Sequence, residues 1–169
     1  MRNAIAVAVL ALLALPAFAQ PVEKPLRVGV FVSDTGDDVS AGASVAYAFS
    51  PNWSGEFSVA REKHTRAVLF RDVFEVRTVP FDATVRYHFL SDDARWRPYV
   101  GGGVRYVAAP DTPDYVDYDD EIAAEVTGGV EFNATESWSL YFDGKQLLRS
   151  ESSEFDDMFK VSVGVGWHF

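Results

Sequence analysis

The eleven residues Phe159-Lys160-Val161-Ser162-Val163-Gly164-Val165-Gly166-Trp167-His168-Phe169 decide how this chain is read. Taken in twos, Phe159, Val161, Val163, Val165, Trp167 and Phe169 share one face. Lys160, Ser162, Gly164, Gly166 and His168 share the other. Side chains alternate across a strand, so this period predicts a β-strand with one apolar face and one polar or small face. A soluble sandwich produces the same alternation. Length separates the two, because roughly 9–11 tilted residues are what a strand needs to cross a bilayer core. An aromatic ring at each end of the apolar face matches the two interfaces of a membrane. The stretch stops on Phe169 without a tail, so it is expected to pair as the closing strand of a barrel in lipid.

Working back from that strand, a loose motif recurs: about ten alternating residues, then a turn. Leu26–Ser33 places Leu26, Val28, Val30 and Val32 on one face, before the turn-rich Asp34–Asp38. Val39–Phe49 and Trp53–Arg61 follow on either side of Ser50-Pro51-Asn52. Glu62–Glu75 breaks the alternation and carries mixed charge, so it is expected to be a long loop or an irregular strand extension. Val79–Phe89 sets Phe81, Ala83, Val85, Tyr87 and Phe89 against Asp82, Thr84, Arg86 and His88. After a polar turn at Leu90–Trp96 come Pro98–Val107, a loop at Ala108–Glu121, Ile122–Phe132, and Trp138–Leu147. Leu148–Asp157 is the loop before the final strand. Eight strands result, and an even number suits a closed antiparallel barrel.

Connections after the second, fourth and sixth strands are tight, whereas those after the third, fifth and seventh are longer and charged. In an outer-membrane barrel with periplasmic termini, short turns lie inside and long loops outside. The first connection, Asp34–Asp38, is short for an outer loop. Phe49, Trp53, Phe89, Trp138 and Phe169 border the short turns, as a periplasmic aromatic girdle would. The face opposite the apolar one holds nearly all the in-strand charge, so the predicted arrangement is apolar toward lipid and ionised toward the axis.

The beginning of the chain agrees. Met1-Arg2-Asn3, an apolar run from Ala4 to Leu15 and Ala17-Phe18-Ala19 have the form of a secretory signal peptide cut after Ala19. The expected mature protein is one barrel domain, residues 20–169. Lys and Arg number 15 against 25 Asp and Glu, a net charge of −10 that argues against a nucleic-acid partner. There is no cysteine, which removes disulfides and thiolate metal sites, so strand pairing and packing must supply the stability.

P-F-D-A-T-V-R-Y-H-F at Pro80–Phe89 is followed by R-P-Y-V-G-G-G-V-R-Y at Arg97–Tyr106. W-S-L-Y-F-D-G-K-Q at Trp138–Gln146 and G-V-G-W-H-F at the end complete the series. In this order the motifs resemble the outer membrane protein W family of small Gram-negative barrels, over roughly Val79 to the end. Outer membrane protein A-like barrels are a near neighbour sharing the Pro-Tyr-Val-Gly strand and the aromatic end. The resemblance implies an all-β, eight-stranded antiparallel transmembrane barrel in the outer membrane, structural or a narrow conduit for small, hydrophobic molecules. It also implies that Trp167 and Phe169 carry the signal read by the barrel-assembly machinery. The sequence departs from the family in its shorter first outer loop and in an inward face more charged than an apolar conduit wants.

Ten charged or titratable residues are placed on the inward face: Glu56, Asp82, Arg86, His88, Arg105, Glu125, Glu131, Asp143, Lys145 and Lys160. An eight-stranded barrel is just wide enough for side chains to fill it. An unpaired charge there costs several kcal/mol, so opposite charges are expected to pair. Two arrangements satisfy this: a static ionic plug, or a gate in which Arg86, Arg105 and Lys160 trade partners among Glu125, Glu131 and Asp143. Arg61, Lys63, Arg66 and Arg71 form a basic group in the outer region, suited to lipopolysaccharide phosphates. The loop Asp111–Glu121 is acidic but lacks the ligand spacing and central glycine of a calcium hand, so a solvated loop is expected and no metal or cofactor is implied. Gly101-Gly102-Gly103 continues into a strand rather than a helix, which excludes a phosphate loop and leaves bending or close packing. Among His64, His88 and His168 there is no His-x-Ser pair of the lipid A deacylase kind, so no catalytic residues are assigned. A lipid-modifying outer-membrane enzyme and a soluble periplasmic lipid-binding barrel are the rival classes.

Overall fold

The computed structural model describes residues 22–35, 39–68, 72–89, 94–108, 121–148 and 159–169, with backbone alone for 63–68, 72–77 and 121. The expected signal peptide at 1–19, the acidic loop at 111–120 and the connection at 149–157 lie outside the described residues. Among the described residues nine strands are present: β1 (Leu26–Asp34), β2 (Val39–Ser50), β3 (Trp53–Val68), β4 (Asp72–Thr78), β5 (Pro80–His88), β6 (Trp96–Val107), β7 (Glu121–Asn133), β8 (Trp138–Leu148) and β9 (Phe159–His168). They make eight staves, because β4 and β5 are one strand interrupted at Val79. Pro80 begins β5, a position where its missing N–H is tolerated.

The barrel closes antiparallel. β1 pairs on one side with β2, from Leu26↔Tyr47 to Asp34↔Val39, and on the other with β9, from Arg27↔His168 to Asp34↔Val161. β3 pairs with β2 and β5 through its first half, so no edge is left between the first and last staves. Beyond Arg61, β3 runs on as a two-stranded ribbon with β4, in register from Glu62↔Thr78 to Val68↔Asp72. The described residues of 62–75 are thus the strand extension, with Glu62 still inside the lumen. Above the barrel both ribbon faces leave the lipid, so nothing enforces an apolar side and the sequence alternation fades.

The alternation sorts the side chains as charge and burial require. Val30 is 64% exposed and Val163 57%, both on the outer face, while Lys160 and Arg86 inside are 2% and 1% exposed. Among the described residues the buried apolar cluster is Phe31, Ala60 and Tyr141. Glycine makes this small core possible. A side chain at Gly42 would meet the Phe31 ring, and one at Gly164 would meet the Tyr141 ring. In β6, Gly101 and Gly103 lie directly against the backbone carbonyls of Val85 and Ala83, the close strand approach expected of strand glycines.

Around the outside at the short-turn end, rings pack in a belt. Trp53 meets Tyr87 edge-on at 5.0 Å, Tyr87 meets Phe89 at 5.5 Å, and Trp96 meets Phe132 at 4.5 Å. Trp138, Trp167 and Phe169 stack in series at 4.9 and 5.5 Å. The turns below are pinned by side chains: Ser50 Oγ accepts from Trp53 N at 3.1 Å, and Thr135 Oγ1 from Trp138 N at 3.0 Å.

Candidate functional site in the barrel interior

Among the described residues the inward faces of the staves bring six cations and six carboxylates into the lumen, and their pairings divide them into two levels. Toward the short-turn end lie Arg27, Arg86 and Arg97 with Glu56, Glu131 and Asp143. Glu56 accepts from both Arg27 and Arg86. Glu131 holds Arg27 at 2.8 Å and Arg97 at 3.4 Å, and also accepts from Ser139 at 2.9 Å. Asp143 takes the Tyr99 hydroxyl at 3.3 Å and faces Arg86 at 3.9 Å. The Arg27 and Arg86 guanidinium groups lie over the rings of Tyr141 and Tyr99, each 4.6 Å from the centroid, as weakly hydrated planar cations do.

Toward the other end, Arg105, Lys145 and Lys160 meet Glu62, Asp82 and Glu125. Glu62 joins Arg105 to Lys160, the latter at 2.9 Å. Asp82 joins Lys145 at 3.0 Å to Arg105 at 3.8 Å and accepts from Ser58 at 3.2 Å. Glu125 faces Lys145 at 3.6 Å and accepts from Thr84 at 2.9 Å. Phe31 and Tyr141 stand between the levels, and Lys160 Nζ sits 5.7 Å from the Phe31 ring. Among the described residues each level contains three positive and three negative groups, which balance.

All ten residues assigned to the inner face lie in this interior, and Ser54 Oγ meets His88 Nε2 at 3.0 Å. The partnerships differ from those of the trading gate. Arg86 does face Asp143, but Arg105 pairs with Glu62 and Asp82, and Lys160 with Glu62. Three members were missed. Arg27 stands opposite Leu26 and Val28 by simple alternation, and Glu62 continues the inward parity of Ser54, Glu56, Ser58 and Ala60, so both were legible. Arg97 was hidden by placing Trp96 in a turn, whereas β6 begins there. Among the basic outer residues, Arg61 is exposed on β3 and Lys63 and Arg66 follow it in the ribbon, while Arg71 lies outside the described residues.

Where β1 begins and β9 ends, the lumen widens into a vestibule of about 710 Å³. Arg27, Arg86, Arg97 and His88 line its inner end, and Lys24, Arg95, Glu23 and Glu136 line its sides and rim. His168 projects from the wall, with Nε2 2.9 Å from Ser139 Oγ and 3.4 Å from Glu131.

Compared with known proteins, residues 5–169 match the outer membrane protein beta-barrel domain. The chain belongs to that family. It is an integral β-barrel of the outer membrane. No curated protein gives a significant match. Three solved structures share the fold. The N-terminal β-barrel domain of Pseudomonas aeruginosa OprF is 18% identical with a TM-score of 0.65, covering 86% of this chain and 98% of its own. OprG of the same organism is 14% identical with a TM-score of 0.65, at 89% and 99% coverage. Escherichia coli Outer Membrane Protein W is 15% identical with a TM-score of 0.59, at 86% and 98%. At these identities the likeness carries the barrel and nothing finer. For an outer-membrane barrel the inside-out arrangement is the required one, because lipid must meet apolar side chains and every backbone group must be paired within the wall.

Proposed function

We propose that this outer-membrane barrel is a sealed structural barrel, inserted with its short turns toward the periplasm and its β3–β4 ribbon toward the outside. The observation that carries the reading is the charge balance of the lumen among the described residues: two levels of three cations and three carboxylates each, with Phe31 and Tyr141 between them. A hydrophobic solute crossing the lumen would have to part these pairs, and an ion would have to displace partners that are already matched. Purified protein in planar bilayers is expected to show no conductance steps above leak, and Lys160→Met no change. Steps that alter with Lys160→Met would replace the plug by a gate.

Orientation has its own test, made simple by the absence of cysteine. A cysteine at Thr135 in a short turn is expected to resist a membrane-impermeant maleimide on intact cells, and one at Thr65 in the ribbon to react. The reverse labelling would invert the insertion.

The reading is also non-catalytic. Ser139 is fully buried, and His168 presents the same Nε2 to Ser139 and to Glu131, so no carboxylate orients the ring through Nδ1 as a nucleophile–base pair requires. At the outer side, lipopolysaccharide is the proposed lipid partner. Arg61 is exposed, and the ribbon register sets Lys63 opposite Arg77 two residues further on. Replacing Arg61, Lys63 and Arg66 by Gln is expected to lower co-purified lipopolysaccharide, and unchanged lipid would remove that partner. The exposed rings of Trp167 and Phe169 on the last strand fit recognition by the barrel-assembly machinery.

A further inference from the structure

The vestibule is electrically one-sided although the level beneath it is neutral. Its inner end is formed by Arg27, Arg86 and Arg97, while Glu56 and Asp143, which pair with Arg27 and Arg86, are not part of its lining. The ion pairs therefore stand on end, with guanidinium heads toward the opening and carboxylates below. Among the described residues that line the inner end, the carboxylate is Glu131, which is shared among Arg27, Arg97 and His168. At the rim Lys24 faces Glu136 at 4.0 Å, Glu23 is exposed, and Arg95 lies 5.4 Å from the Phe132 ring. A concavity with cationic heads at its base and low-dielectric walls focuses a positive potential at its centre.

A second feature of the same basin points to an occupant. His88 is 4% exposed, uses Nε2 toward Ser54, and leaves Nδ1 without a hydrogen-bond partner. The Nε groups of Arg27 and Arg86 are buried and unpartnered as well. Buried polar groups are nearly always hydrogen-bonded, so the chain's own acceptors leave the guanidinium groups at the base incompletely satisfied. Val22, Pro25, Ala46 and Ala48 give the basin a small apolar wall. Its volume exceeds that of a bare ion and falls within the range of small-molecule pockets, about 300–1,000 Å³.

We infer that the vestibule is a binding site for a small soluble molecule bearing an oxyanion, a phosphate or a carboxylate, seated on the Arg27–Arg86–Arg97 base with its apolar part against Ala46 and Ala48. Guanidinium forks match both oxyanions in geometry and charge. The inference rests on the proposed orientation only for the ligand's source, the periplasm. The girdle of Trp and Phe rings lies on the outer surface of the barrel, so a bilayer lipid headgroup has no direct route to the base.

The test uses the whole barrel in micelles, labelled with 15N at arginine, and titrates sodium phosphate or sodium acetate against sodium chloride at constant ionic strength. Saturable shifts of arginine Nε–Hε signals are expected with phosphate or acetate and not with chloride. Arg97→Gln is expected to weaken binding by about tenfold or more, the loss of one charge-assisted contact. Ala48→Phe fills the basin without removing charge and is expected to weaken it too, which keeps the result readable if Arg97→Gln fails to fold. Lys160→Gln, in the other level, is expected to bind as the parent does. Linear shifts equal to those with chloride, or binding that survives both vestibule variants, would overturn the site. Micelles have no sidedness, so this result is independent of the cysteine labelling that tests insertion.

Discussion

Glu131 is the residue on which the level nearest the vestibule converges, since Arg27, Arg97, Ser139 and His168 all meet its two oxygens. Removing one member of a buried ion-pair network leaves the others uncompensated, which costs about 3–5 kcal/mol. Glu131→Gln keeps the shape and removes the charge. It is expected to lower the unfolding free energy in urea and micelles by that amount, and a loss below about 1 kcal/mol would mean the arginines are solvated after all. Lys160→Met is expected to be milder, because Glu62 keeps Arg105. Packing adds a second sensitive residue. A side chain at Gly164 collides with the Tyr141 ring, so Gly164→Val is expected to cost about 1–3 kcal/mol as overpacking, read by the same unfolding measurement.

For a strand, the two faces answer to different solvents, and β9 shows it most plainly. Val163 is on the lipid face, well inside the strand, so Val163→Arg is expected to destabilise by about 2–4 kcal/mol, as a charge near the bilayer midplane does. Val39 is equally exposed but begins β2 at the loop end, and Val39→Arg is expected to cost only about 0–1 kcal/mol. Equal costs at the two positions would place the membrane elsewhere on the barrel. Strand identity was legible from the alternation, and so was the inward set from Glu56 to Lys160. Strand ends were harder to read. β6 starts at Trp96 and β3 runs to Val68, because outside the apolar band a ladder persists through backbone pairing that no side-chain period reports.

Taken as one body, the barrel keeps its balanced charges buried inside the wall and its excess negative charge elsewhere. Of the net −10, none comes from the twelve ionised groups of the two levels. Buried pairs are screened far less than exposed ones. The unfolding midpoint in a neutral detergent is therefore expected to move little between about 0.05 and 1 M salt, although the Debye length falls severalfold over that range. A steep salt dependence would show that water and ions fill the lumen.

The sequence by itself determined the strands, their two faces and the inside-out sense of the molecule, because a period of two is a local property that each segment carries alone. Which cation meets which carboxylate was decided only by the tertiary structure. Glu62 meets Lys160 and Arg27 meets Glu56 over intervening staves, at a height set by the stagger of closed staves rather than by any spacing along the chain. The vestibule belongs to the same category: its cationic base exists because three arginines from β1, β5 and β6 end at one depth, with Glu56 and Asp143 behind them.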